Sequence, residues 1–315
     1  MKYLALIPCH NEELSIGLTI TEIRSVIPDI EIWVIDNGST DNTGVLAKEL
    51  GARVIKCPTL GKGYAIRLAF SKVGSRFDAI FMVDGDHTYS IKNLNLAVDA
   101  IVHEGFDMVV GTRMQEEFSS STRGKHYRRG HNKGNIVLTK MFKALFGLEI
   151  KDTLSGWRCF SPGFVRSFPG GASGFELETE LNAHIFLIKG AFKSLDVGYR
   201  GRVEGATSKL HTVKDGAKIL RRLLFLFRTE RPLIAYTALG IPWLILSLIL
   251  IRNVLENYFR LGLIPNFPSL IAGVGSFIAS VLLWTTGMLL ANQRITRASI
   301  ARHQYAEKCD CDGKP

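Results

Sequence analysis

Two stretches near the C-terminal end of the chain, residues 232–251 and 261–293, carry no charged side chain. About 20 apolar residues in a helix span the hydrocarbon core of a bilayer, and a helix buried in a soluble core rarely runs so far without a charge. The stretches predict two transmembrane helices rather than a pair of core helices, and they leave the residues before 232 to form a separate large domain. Their flanks are asymmetric. Arg221, Arg222, Arg228 and Arg231 precede the first stretch and Arg294, Arg297 and Arg302 follow the second, whereas the loop from Arg252 to Arg260 is poorer in positive charge. Lys and Arg favour the cytoplasmic flank of a span, and a formal net charge of +10 fits that placement. The expectation is a multi-pass protein of the inner, cytoplasmic membrane with the large domain and both termini cytoplasmic. Met1-Lys2 leads directly into Tyr3-Leu4-Ala5-Leu6-Ile7-Pro8, which is too short for a signal peptide, has no small-residue cleavage site, and reads as a buried strand.

The first 115 residues alternate two periodicities. Short β-rich apolar runs at Tyr3–Ile7, Glu31–Ile35, Arg53–Ile55, Ala79–Val83 and Met108–Val110 are separated by helical patterns at Glu13–Ile27, Asn42–Leu50, Lys62–Lys72 and Ile91–Glu104, with Asp41 or Asn42 placed to cap the second helix. This alternation predicts an α/β domain with a mainly parallel sheet covered by helices, in which ligands bind at the carboxyl ends of the strands. Polar clusters stand at three such ends: His10-Asn11-Glu12, Asp36-Asn37-Gly38-Ser39 and Asp84-Gly85-Asp86. Residues 116–135 read as a polar loop leading into a helix. Residues 213–231 read as an amphipathic juxtamembrane helix, with Val213, Ala217, Leu220, Leu224 and Phe227 on one face and Lys214, Lys218 and Arg221 on another. A basic amphipathic helix ahead of a span reads as an interfacial helix. Cys9, Cys57 and Cys159 read as reduced, packed thiols, and the Cys309/Cys311 pair lies in a polar tail with too few neighbours for a metal site.

The chemistry concentrates at the strand ends. Two carboxylates spaced as in Asp84-Gly85-Asp86 can reach one divalent cation and the phosphates that share it, and hard oxygen ligands suit Mg²⁺ or Mn²⁺. Asp36 can accept from a base N–H or a ribose hydroxyl, or it can serve the turn and cap formed by Ser39 to Asn42. Gly61-Lys62-Gly63 offers a flexible turn with one cation for a donor phosphate, without the spacing of a P-loop. The first strand is not followed by G-x-G-x-x-G, which counts against a dinucleotide-dependent dehydrogenase.

Taken in order, Pro8-Cys9-His10-Asn11-Glu12, Asp36-Asn37-Gly38-Ser39-Thr40-Asp41, Asp84-Gly85-Asp86, Gly111-Thr112-Arg113 and Asp152-Thr153-Leu154-Ser155-Gly156-Trp157-Arg158 resemble the motif set of family 2 glycosyltransferases. The branch most similar is that of dolichol-phosphate mannose synthases and polyprenyl-phosphate glucosyltransferases. The resemblance covers residues 1–230 and implies a GT-A Rossmann-like fold and an inverting, metal-dependent hexosyl transfer from a nucleotide-sugar to a polyprenyl (undecaprenyl or dolichyl) phosphate. It implies a donor site of Pro8, Asn11, Glu12, Asp36, Ser39, Lys62, Asp84 and Gly85, and a Mg²⁺ or Mn²⁺ ion on Asp84 and Asp86. It also implies an acceptor-phosphate site of Arg113, Arg128, Asn132 and Lys133, with Asp86, Arg113 and Arg128 as the residues closest to catalysis. Asn132 stands where the family has Ser, Thr88 where it often has Gln, and His10 where it usually has Tyr.

Arg202 and Ser208-Lys209 precede the amphipathic helix, placed either to clamp a lipid phosphate or to dock a surface loop on headgroups. A phosphate monoester is largely dianionic near neutral pH, its second pKa being about 6, so transfer to it calls for positioning and charge neutralisation rather than a strong base. His10, His87, His126 and His131 accordingly read as contacts or surface residues. Glu176, Glu178 and Glu180 face either the site or solvent. The expected organisation is a catalytic domain over residues 1–212, the juxtamembrane helix over 213–231, a two-helix anchor over 232–292 and a cytoplasmic tail over 293–315. UDP-glucose and GDP-mannose are the favoured donors. The partners are the nucleotide-sugar, the lipid phosphate and the membrane, not nucleic acid, with a homo-oligomer left open. The alternatives are a family 2 enzyme with another lipid or glycan acceptor, although the Q-x-x-R-W of processive synthases is absent; a non-catalytic membrane scaffold on the same fold; and a nucleotidyltransferase.

Overall fold

Apolar runs buried on both faces are what a parallel sheet under helices demands, and in the computed structural model the expected strands are buried in this way. The structure describes residues 1–115, 129–174, 176–205, 212–264 and 266–306. The chain runs β1 (Tyr3–Cys9), α1 (Ile16–Val26), β2 (Glu31–Asp36), α2 (Thr43–Glu49), β3 (Arg53–Lys56), α3 (Lys62–Val73), β4 (Ala79–Met82), α4 (Leu94–Val102) and β5 (Met108–Gln115). It continues through α5 (Arg129–Phe146), β6 (Arg158–Phe160), α6 (Pro162–Ser167), α7 (Leu177–Ile188) and β7 (Phe192–Tyr199), then α8 (Thr212–Glu230), α9 (Pro232–Leu261) and α10 (Phe267–Ala306). The sheet has seven strands in the order β3-β2-β1-β4-β6-β5-β7. All neighbours are parallel except β6, which lies antiparallel between β4 and β5. The order reverses at β1, with β2 on one side and β4 on the other. That reversal opens a crevice beyond the carboxyl ends of these strands, and Cys9 of β1 is level with Asp36 of β2 there.

β6 and β7 are additions to the sequence reading. β6 is three residues long and begins with an arginine, and β7 is a mostly half-exposed edge strand interrupted by Lys193, Asp196 and Gly198. At α2 the cap is supplied by Asp41, whose Oδ1 accepts from the Thr43 N–H at 3.0 Å and the Thr43 hydroxyl at 2.5 Å; Asn42 makes no side-chain cap bond.

The chain divides into two compact units, Met1–Leu223 with Ile300–Pro315, and Leu224–Ser299. α9 and α10 leave their apolar side chains exposed: Leu248 is 61% exposed, Ile249 55%, Leu282 60% and Trp284 58%. Core helices would bury them, so the core-helix alternative is set aside and both helices are candidate membrane spans. The helices outrun the charge-free stretches. α9 continues past Arg252 to Leu261, and α10 has 40 residues and continues to Ala306, so the expected tail is helical that far. At a 1.5 Å rise per residue, 40 residues make about 60 Å, roughly twice the thickness of a bilayer's hydrocarbon core. In the second unit the buried Glu230 carboxylate takes Arg294 at 3.3 Å and Arg297 at 3.9 Å. In the first unit, the end of α10 packs on the sheet domain. The Tyr305 hydroxyl donates to Asp107, which also accepts from the Ser161 hydroxyl and the Ala191 N–H. Arg166 donates to the Tyr305 carbonyl, and Arg302 to that of Leu187.

α8 differs from its expected face. Ile219, Leu223 and Leu226 are buried, whereas Leu220 and Leu224, placed by periodicity on the apolar side, are 37% and 51% exposed. The helix has two apolar faces, one packed against protein and one open.

Arg158, to which the sequence reading gave no role, belongs to the core. It is fully buried, donating to Asn182 Oδ1 at 2.6 Å, the Ser155 carbonyl at 2.9 Å and the Thr153 carbonyl at 3.1 Å. Loss of water brings its pKa down to about 10, against the pull of Glu178 and Asp152. It is a core arginine that fixes the 153–155 turn. Arg158→Met should lower stability by about 3 kcal/mol, because removing one partner leaves buried acceptors unpaired. The shift of a thermal or denaturant unfolding midpoint measures this, and a neutral change would reassign Arg158 to ligand binding.

Candidate active site

The crevice is built first from backbone ties between strand ends. After β1, Asn11 adopts a positive φ of 52°. Its N–H donates to the Ser39 hydroxyl at 3.1 Å, and its side-chain oxygen accepts from Thr40 N at 2.7 Å. Asp36, buried at the end of β2, accepts from Ser39 N at 2.9 Å. Asn11 and Ser39, both expected to contact a donor, are thus spent partly on each other, holding the first two turns together. Pro8 lies within β1, opposite Ile35 of β2. Glu12 takes the Ser15 hydroxyl on its carboxylate at 3.2 Å, and the same hydroxyl reaches the Gly85 carbonyl at 2.8 Å, so the third strand end is tied to the first.

Asn37 was not singled out by the sequence, yet it connects the second turn to the start of α3. Its amide donates to the Thr59 carbonyl at 2.6 Å and accepts from Gly61 N at 2.6 Å. The Gly61-Lys62-Gly63 turn is also pinned from the other side by Gly63 N to the Ser173 carbonyl at 3.1 Å. A Cβ on Gly63 would lie 2.2 Å from the Ala172 carbonyl oxygen. Only glycine permits that approach.

The charged centre follows. Lys62 Nζ lies 2.5 Å from Asp84 Oδ1 and 2.6 Å from Glu178 Oε1. Burial alone would lower its pKa, but the two carboxylates overcome this and raise it. Glu178 is on α7, whose residues are almost all buried, including Glu178 and Glu180. This settles the choice for that helix: Glu178 faces the site, Glu180 accepts from Gly171 N and Ala172 N and pairs with Arg222, and neither faces solvent. Asp86 Oδ2 lies 2.7 Å from Arg202, and its Oδ1 accepts from the Thr88 hydroxyl at 2.6 Å and Thr88 N at 3.2 Å. Burial and the neighbouring Asp84 charge raise the Asp86 pKa, with Arg202 and Thr88 opposing. His87, between the site and α1, has a φ of 56° and sits 3.4 Å from Glu22, which Arg200 grips through both carboxylate oxygens at 2.9 Å.

Two features fit a divalent cation at Asp84 and Asp86. The donors are hard carboxylate oxygens already drawing cationic side chains onto themselves. Gly156 leaves room for them, since a Cβ there would meet Asp84 Oδ2 at 2.2 Å. Among the described residues no group of three or more His, Cys, Asp or Glu converges as a closed cage. A Mg²⁺-type ion keeps waters and shares phosphate oxygens rather than filling an all-protein site.

On the far side, Arg113 at the end of β5 forms a two-pronged pair with the buried Asp152, Nε to Oδ2 at 2.6 Å and a terminal nitrogen to Oδ1 at 2.9 Å. Burial would raise the Asp152 pKa, but Arg113, helped by Asn135, brings it below the usual carboxylate range. Arg113 also lies over the Tyr199 ring at 5.6 Å. Its fork is therefore held by an acid whose place in the fold the motif did not reveal. Arg128 and Lys209 lie outside the described residues. Asn132 and Lys133 fall in the first turns of α5, and their side chains are likewise outside them. Arg202, expected among the acceptor residues, is on Asp86. Gly156→Ala tests the metal assignment without touching a charged residue: displaced by the new methyl, Asp84 should bind Mn²⁺ on the order of tenfold more weakly, the scale on which groups supporting metal ligands act. Isothermal titration measures this, and an unchanged affinity would remove Asp84 from the ligand set.

Comparison with known proteins fits this geometry. Residues 5–166 match the family model described as Glycosyl transferase family 2. Glycosyltransferase AglJ of Haloferax volcanii is 30% identical over 239 residues, 75% of this chain and 75% of that protein. The dolichyl-phosphate hexose transferase of the same organism is 26% identical over 228 residues, 70% of this chain and 92% of its own. Among solved structures, glucosyl-3-phosphoglycerate synthase from Mycobacterium tuberculosis in complex with Mn²⁺, UDP and glucosyl-3-phosphoglycerate superimposes with a TM-score of 0.57 at 22% identity, over 71% of this chain and 79% of that one, a likeness of fold. With its seven-stranded, mostly parallel sheet of the GT-A type and a family match over half its length, the chain belongs to glycosyl transferase family 2.

Proposed function

We propose that this glycosyltransferase moves a hexose, with inversion, from UDP-glucose or GDP-mannose to a polyprenyl phosphate at the cytoplasmic face of the inner membrane. The observation that carries the reading is the Asp84/Asp86 pair at the strand-order reversal, contacted by Lys62 and Arg202, in a chain that goes on to two exposed apolar helices. The name of the dolichyl-phosphate hexose transferase relative supports the acceptor.

In this reading Pro8, Asn11, Glu12, Asp36 and Ser39 border the nucleoside, and Gly85 lets the backbone approach the donor between the two acids. Asp84 and Asp86 would hold Mg²⁺ or Mn²⁺, which when bound offsets the charge developing on the departing nucleoside diphosphate. Lys62 adds a fixed positive charge beside it. Arg113, Arg128, Asn132, Lys133, Arg202 and Lys209 serve the acceptor phosphate, arginine suiting it because its fork pairs phosphate oxygens. An acceptor oxygen bonds to the anomeric carbon from the face opposite the diphosphate. The anomeric C–O bond breaks with its electron pair leaving on the nucleoside diphosphate. A dianionic phosphate has no proton to give up, so the step calls for no dedicated base. The open apolar face of α8, Leu220 and Leu224, fits the membrane surface where such a lipid resides.

Transfer of labelled hexose from UDP-glucose or GDP-mannose to polyprenyl phosphate is the direct test. Asp86→Asn should lower turnover by about a hundredfold or more, on the scale of losing a few kcal/mol of transition-state stabilisation, with the fold retained. Full activity in excess EDTA, or donor hydrolysis indifferent to the lipid, would overturn the reading. Topology is checked separately. A cysteine placed at Asn257, near the end of α9, should react with an impermeant reagent only from the non-cytoplasmic side; reaction from the cytoplasm rules out the two-span hairpin.

A further inference from the structure

Among the described residues, two protein cations touch the acidic pair, and they differ in exposure and in the backbone that carries them. Lys62 is at the start of α3, its side chain 11% exposed, and it has a second partner in Glu178, whose side chain is 4% exposed. Arg202 is on an irregular segment beyond β7, with its side chain 30% exposed. Two residues earlier the same segment is clamped: Arg200 N donates to the Thr88 carbonyl at 2.7 Å, and its guanidinium grips Glu22. Gly201 lies between the clamp and Arg202, and Gly205, at a φ of 89°, follows. The backbone is held at residue 200 and has latitude just after it. Asp86, meanwhile, has both oxygens engaged, Oδ1 by Thr88 and Oδ2 by Arg202. A divalent cation bound through Oδ2 would sit at a typical distance of about 2.0–2.2 Å, against a guanidinium of like charge. The two repel each other across that oxygen.

We propose that Arg202 is a displaceable counter-ion. It rests on Asp86 until a divalent cation takes that oxygen, and its guanidinium then turns to the acceptor's phosphate. Lys62, locked by Glu178, stays in place throughout. Capture of an anionic acceptor is thereby made contingent on loading of metal and donor. The inference rests on the proposed reading of the acceptor as a lipid phosphate only in its second half; the competition at Asp86 stands without it.

The test uses the full chain in detergent micelles, with Mn²⁺ alone as the first probe and free Mn²⁺ followed by electron paramagnetic resonance. Arg202→Ala should bind Mn²⁺ about fivefold more tightly than the unmodified protein, the scale of one partly exposed ion pair, with Arg202→Lys in between. Unchanged or weaker binding in Arg202→Ala, with the unfolding midpoint retained, overturns the proposal, because Arg202 would then be supporting Asp86 rather than competing for it. The second probe is farnesyl phosphate, a short prenyl phosphate. The unmodified protein should bind it about tenfold more tightly when Mn²⁺ and UDP or GDP are present, and Arg202→Ala should abolish that gain. Equal binding with and without them overturns the coupling. If farnesyl phosphate binds under neither condition while the Mn²⁺ result holds, the acceptor assignment under the proposed function is what fails, and the counter-ion survives.

Discussion

A buried charge is tolerated only with partners, and Lys62 has two: Asp84 from the end of β4 and Glu178 from α7. This triad joins three elements distant in sequence across the crevice. Such pairs add little net stability, since desolvation offsets their attraction, but they fix geometry. Here the geometry is the position of the Asp84 carboxylate against the Gly156 backbone and the turn of α3 against residues 172–173. The ties from the Asn37 and Ser15 side chains to backbone then place the ends of β1 and β2 relative to that fixed point.

The same site holds a graded set of cations. Lys62 is enclosed, Arg113 is held by both of its prongs on Asp152, and Arg202, partly exposed, lies on Asp86. Catalysis through charge neutralisation gains when donors are oriented before the reaction. In the proposed reading the enclosed charges serve the part of the reaction that does not change, and the partly exposed one serves the part that arrives last.

What could be read from the sequence was governed by period. The strand-helix alternation and the D-x-D, N-G-S-T and H-N-E clusters at strand ends are local signals, and the sheet and crevice were legible from them. Glu178 was not assignable, because α7 is enclosed on nearly every side and a helix without a polar face gives 3.6-residue periodicity nothing to report. Arg158 closes the Asp152–Arg158 motif and was given no role; its carbonyl partners at Thr153 and Ser155 are backbone atoms, invisible to sequence. The pairing of Arg113 with Asp152 spans 39 positions and belongs to tertiary structure alone. In α8 the apolar residues cover more than one face, so a single-stripe reading chose Leu220 and Leu224 where the fold buries Ile219 and Leu223. The helices α9 and α10 were found by their lack of charge, and their ends were misplaced because a helix does not stop where its hydrophobicity does.

The docking of Tyr305 on Asp107 changes what counts as the catalytic domain. The first unit takes in Met1–Leu223 and resumes at Ile300, so the stretch that holds the candidate spans is inserted within a discontinuous unit. A chain stopped ahead of the first span to obtain a soluble enzyme would discard part of the enzyme itself. Asp107 would lose the hydroxyl that Tyr305 supplies, Leu187 would lose the Arg302 donor, and the surface around Gly163 that the tyrosine ring covers would be opened to water. Solubility obtained by truncation would come with an unsealed seam at the amino ends of β5 and β7, on the opposite edge of the sheet from the chemistry.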